Sequence, residues 1–102
     1  MAFGRTVKID KKASYRIKEG FELKEVVGRT VVVYMGDDSE FNGIIRLNEE
    51  GVFVWKQLVN GAGVDQIAAA MEQEYDADIK VLIEDVTEVL TSLLRENVIE
   101  AC

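Results

Sequence analysis

The chain has 102 residues, 48% hydrophobic and 30% charged, with a net charge of −7, no histidine and one cysteine. That is enough chain, with enough apolar content, for one domain that buries its own core without disulfide or metal staples. Without histidine it lacks the commonest general base and the commonest zinc ligand, Cys102 has no internal partner or activating group, and no apolar run reaches the roughly 20 residues that span a bilayer.

These absences set the first expectations: a non-enzyme, no cofactor, no metal and no membrane partner. The start shows no apolar signal-peptide core, so the expected location is the cytoplasm. Gly61-Ala62-Gly63 lacks the Gly-x-Gly-x-x-Gly spacing of a phosphate loop and reads as a turn. The carboxylates fall at solvated helix positions and show no cleft pair of the kind acid–base chemistry needs.

In chain order, the N-terminus is basic. Residues 1–20 carry six basic side chains against two acidic, a balance of +4; the other 82 carry six against seventeen, a balance of −11. Residues 1–14 are expected as a basic arm, flexible or dimer-forming, and residues 15–102 as the folded domain. "FELKEVV" alternates, and "RTVVVYMG" is rich in β-branched and aromatic residues, so both read as strands with Gly28-Arg29 between them. "GDDSEFNG" supplies the next turn and "FNGIIRLN" a third strand. Short links predict an antiparallel meander, with the third strand at a sheet edge.

Asn48 is the expected N-cap of a first helix, with Glu49 and Glu50 where the helix dipole favours acids. Its buried face is expected to hold Val52, Phe53, Trp55, Leu58 and Val59, and Gly51 predicts a close-packing reason, since glycine costs about 1 kcal/mol there. A second helix is expected over about 64–74, with Ile67, Ala68 and Met71 inward. A third follows the N-cap Asp78 and ends near Asn97, before a short apolar tail of Val98 and Ile99. Its stripe of Ile79, Leu82, Ile83, Val86, Val89, Leu90, Leu93 and Leu94 spans about 140° at helical spacing. The order strand–strand–strand–helix–helix–helix predicts an α+β, winged helix-turn-helix-like domain.

Such a fold raises DNA binding, with the last helix in the major groove. That helix carries Asp78, Glu84, Asp85, Glu88 and Glu96 against Lys80 and Arg95, and it presents no Arg or Lys cluster for guanine edges. Phosphates would repel it, and no nucleic-acid partner is expected. The third strand is the better candidate. It has no proline or lysine to blunt its edge, and alternation puts Ile45 and Leu47 on one face and Asn42, Ile44 and Arg46 on the other. A guest peptide pairing with this edge would lie beside the third helix, where Val81, Asp85, Glu88 and Ser92 flank the apolar stripe. Alternatively, the edge is covered by the arm "RTVKID" or by a twin subunit.

The residues also resemble a known family. Leu47-Asn48-x-x-Gly51-x-x-x-Trp55-x-x-Leu58, then Glu74-Tyr75-Asp76, then Asp85-Val86 with Leu90 and Leu93 are similar to the PqqD-like family over about residues 15–99. The resemblance implies a peptide chaperone. Such proteins bind the leader of a ribosomally made precursor as an added strand between the third strand and the third helix. They present it to a modifying enzyme, often a radical S-adenosylmethionine protein. It implies contacts at Ile44–Leu47 and around Asp85, with Gly51, Trp55 and Leu58 in the core. It does not single out the quinone pathway of the founding members. The acidic body suggests a basic leader or a basic enzyme surface. A homodimer is a further expected partner state. The rival reading is a winged-helix protein-interaction or regulatory module; a DNA-binding regulator comes third.

Overall fold

The computed structural model describes residues 7–36 and 45–102. Its elements are β1 (Ser14–Ile17), β2 (Phe21–Val26), β3 (Arg29–Tyr34), β4 (Ile45–Leu47), α1 (Glu49–Leu58), β5 (Ala62–Gly63), α2 (Val64–Glu74), α3 (Ile79–Arg95) and β6 (Ile99–Ala101). The expected meander is present as the sheet β2-β3-β4, antiparallel throughout. The last of its strands is described from Ile45; Asn42 and Ile44 lie outside the described residues.

The β2–β3 turn holds a strained residue. Val26 pairs with Arg29, leaving the two-residue loop Val27-Gly28, and both loop residues have positive φ (50° and 75°). Two positive φ values make the kind of tight turn whose twist matches its strands, normally Asn-Gly. Gly28 accepts this freely. Val27, β-branched and 96% exposed, gains no packing in return. Val27→Asn is therefore expected to raise stability by about 1 kcal/mol, read as a higher midpoint in urea with an unchanged slope.

The sequence reading contains no second sheet, yet β5-β1-β6 is one. In it, β1 pairs antiparallel with both neighbours, Tyr15 facing Ala62 and Ala101, and Ile17 facing Ile99. The expected apolar tail is thus the start of a strand. Asn97 makes the reversal: in the left-handed region at φ 65°, it lets its own N–H reach the Leu94 carbonyl while the Val98 N–H reaches Leu93. This pair of bonds caps the helix end, and Val98 and Ile99 drop into the core at 0% and 1% exposure. The boundary expected at residue 14 falls at the start of β1, and Ile9 before it is already buried, with the Asp10 N–H donating to the Tyr15 hydroxyl.

The helices supply most of the core. Ile67, Ala68 and Met71 of α2 and Leu82, Val86, Leu90 and Leu93 of α3 are buried as their spacing predicts, together with Val64, Leu58 and Trp55. The inward face of α1 differs from the expected one. Gly51, Val54, Trp55 and Leu58 are buried, Val52 and Phe53 are half-buried, and Val59 is 61% exposed. Positions 51, 54, 55 and 58 follow the helical period, whereas Val59, the C-cap, still helical in its own backbone, points about 90° away from the centre of that face. At the other end of α1 the Asn48 side chain accepts the Gly51 N–H at 2.8 Å, as expected of an N-cap. Phe53 meets Tyr75 edge-on at 5.8 Å. Burial pushes the Tyr75 phenol above its usual value, and Glu49, Glu50 and Glu74 push it the same way, so the ring stays neutral.

Candidate functional site

The site is built by β4 and the C-terminal half of α3. On one side β4 pairs with β3, Thr30 opposite Leu47, Val31 opposite Arg46 and Val32 opposite Ile45. On its other side no strand pairs with it among the described residues. That edge presents backbone N–H and C=O groups to whatever lies beside it.

Alternation sorts the side chains. Ile45 and Leu47 share the inner face with Val32 and lie half-buried against the core. Arg46 stands on the outer face and is exposed. Between β4 and α3 runs a cleft of about 700 Å³. Ile45, Arg46 and Leu47 form its strand wall, Asn48 and Gly51 its floor, and Val89, Ser92, Leu93, Arg95 and Glu96 its helix wall.

Gly51 explains itself here. A Cβ on it would stand 3.2 Å from Leu47 Cδ2 and 3.3 Å from Asn48 Oδ1. Leaving it out lets Leu47 lie against the α1 backbone and keeps the cleft floor low.

Of the expected contact residues, the structure brings Ile45, Arg46, Leu47 and Ser92 together in this cleft. Val81, Asp85 and Glu88 are not among its walls. They lie on the same stripe of α3 as Ser92, towards the helix N-terminus, with Val81 49% exposed, Glu88 exposed and Asp85 half-buried. At 1.5 Å per residue the stripe from Ser92 back to Val81 is about 16 Å long, which an extended guest covers in about five residues. The cleft also uses Gly51, Val89, Leu93, Arg95 and Glu96, which the sequence reading did not assign as contacts. The helical period puts Val89 and Leu93 in the apolar stripe and marks Val89 as its edge, where burial gives way to a groove.

Among the described residues no group of His, Cys, Asp or Glu is arranged to hold a metal ion, and no helix is long and apolar enough to cross a membrane. The cleft can offer hydrogen bonds along a strand edge, an apolar wall and charged lips. Residues 29–99, which contain the whole cleft, match the family described as coenzyme PQQ synthesis protein D (PqqD).

The chain belongs to the PqqD family. No curated protein sequence matches it, but solved structures share its fold. One is the PqqD truncation of Methylobacterium extorquens PqqCD, a stand-alone recognition element for ribosomally synthesised and post-translationally modified peptides. It is 23% identical with a TM-score of 0.73, over 92% of this chain and 96% of that one. Another is TbiB1 in complex with the TbiA(beta) leader peptide, 19% identical with a TM-score of 0.69, over 83% of this chain and 94% of that one. The PqqD-family match begins at Arg29, so β1 and β2 lie outside it.

Proposed function

We propose that this protein is a non-catalytic peptide chaperone of the cytoplasm. It binds the leader of a ribosomally made precursor as an extra strand on β4 and presents the attached core to a modifying enzyme, a radical S-adenosylmethionine protein being the favoured partner. The observation that carries the reading is the edge of β4, which no strand pairs among the described residues, facing a cleft whose far wall is α3. Backbone pairing along the edge provides affinity, and the alternate side chains of the guest fall into the cleft and select for sequence. Family membership and the fold shared with a leader-peptide complex support the same reading.

The mechanism is positioning. A leader held at β4 tethers the core peptide near the enzyme and raises its effective concentration there. In this reading Val81, Asp85 and Glu88 meet the part of the leader that runs on along α3, and Asn42 and Ile44, which lie outside the described residues, are further contacts of the guest.

The test is an NMR titration of ¹⁵N-labelled protein with the leader peptide encoded beside its gene. The expected result is amide shifts concentrated at residues 45–47 and along residues 81–96. Shifts confined to other surfaces, or none at high peptide concentration, would sink strand addition at this edge and favour a protein-interaction module with another partner, a second copy of the chain included.

A further inference from the structure

Resting on that reading of the β4 edge, we infer the chemistry of the guest: an extended segment of the pattern apolar–acidic–apolar, its carboxylate set opposite Arg46. The argument starts from the period of a strand. A guest paired with β4 in either direction places the residues opposite Ile45 and Leu47 on the inner face and the residue opposite Arg46 on the outer face. The inner face looks onto Val89 and Leu93 across the cleft, so it takes apolar side chains. The outer face is different. Lys24, Val31 and Arg46 form one row across β2, β3 and β4, and Arg29 follows on the same face of β3.

Charge on that face runs against the charge of the chain. The chain as a whole is at −7, which on its own suggests a basic guest. Yet Lys24, Arg29 and Arg46 share the outer face with one acid of the sheet, Glu22, which lies 4.0 Å from Lys24, and Glu49 of α1 lines a cavity with Arg29 and Arg46, so the described group still holds three cations against two acids. Among the described residues, Arg29 and Arg46 form no ion pair. On the opposite wall Arg95 and Glu96 offset each other. Charges more than about 8 Å away are screened at physiological salt. The side chain beside Arg46 therefore feels the row it joins more than the acidic body, and a carboxylate there completes the row.

The test is selection from a phage-displayed library of random twelve-residue peptides, run in parallel on the wild-type protein and on Arg46→Glu. Arg46 is exposed, so the variant keeps its fold, which a thermal melt checks. The expected wild-type winners carry Asp or Glu between two apolar residues, shift the amides of residues 45–47, and lose about five- to tenfold in affinity when that acid becomes Lys. Arg46→Glu is expected to select Lys or Arg at the same place. Winners that bind at residues 45–47 with no acidic preference, or an unchanged preference on Arg46→Glu, would overturn the inference and leave strand addition standing. Winners that bind elsewhere, or no enrichment at all, would overturn both.

Discussion

Trp55→Ala is expected to cost about 3–5 kcal/mol of stability, the usual range for removing a buried aromatic side chain. The indole is 4% exposed, on the face of α1 that also buries Val54 and Leu58. Its loss leaves a cavity in a core fed by all three helices. For a domain of this length such a loss lowers the melting temperature by on the order of 20 °C, and it removes a large part of the roughly 5–15 kcal/mol by which domains are stable. Thermal and urea melts followed by circular dichroism measure it. A Trp55→Ala protein that melts like the wild type would show that the indole is not a core element. Peptide affinity measured well below the melting point should change far less than stability, because Trp55 is not among the residues that wall the cleft.

Ser92→Trp should give the opposite pattern. Ser92 is exposed, on the helix wall facing β4, so a larger side chain there projects into open space and changes stability by about 0.5 kcal/mol or less. The same indole stands where a guest strand must lie. Leader affinity is expected to fall by about 100-fold, equivalent to about 2.8 kcal/mol, in a titration using the peptide that binds the wild type. Val81→Trp, further along the same stripe, should cost much less, since Val81 is not a wall of the cleft. Binding by Ser92→Trp at wild-type strength would move the guest away from this cleft.

The two variants separate what sequence shows readily from what it shows poorly. The stripes of α2 and α3 were legible because each inward residue repeats at the helical period, and Asn48 and Asp78 were legible as caps because their side chains bond to the next turn. The meander was legible through alternation and short turns. The sheet β5-β1-β6 was not. Its strands are two to four residues long, too short for a pattern, and the bond joining β1 to β6 links positions as far apart as Arg16 and Glu100. Nothing local encodes such a partner.

The site was half legible for a related reason. Alternation on β4 told Arg46 from Ile45 and Leu47. The cleft, though, is defined by which turn of α3 comes opposite β4, and that depends on how whole elements pack. Val81 and Ser92 look equivalent on a helical wheel, and only the packing separates them. Val59 shows the limit at smaller scale: an apolar residue about 90° from the centre of its helix's buried face is exposed.

The pairing of β1 with β6 also sets an order of assembly. A chain made from its N-terminus onward completes β2, β3 and β4 while its last helix is still unmade, and Ile45 and Leu47 are then without the wall that later faces them. Tyr15 and Ile17 must wait longer, until residues 99–101 arrive to pair with them. Contacts so distant along the chain slow folding, and an uncovered apolar strand edge invites unwanted neighbours in the interval. The feature that suits the finished protein to receive a strand is thus a hazard to the nascent one, and α3 sets how long that hazard lasts.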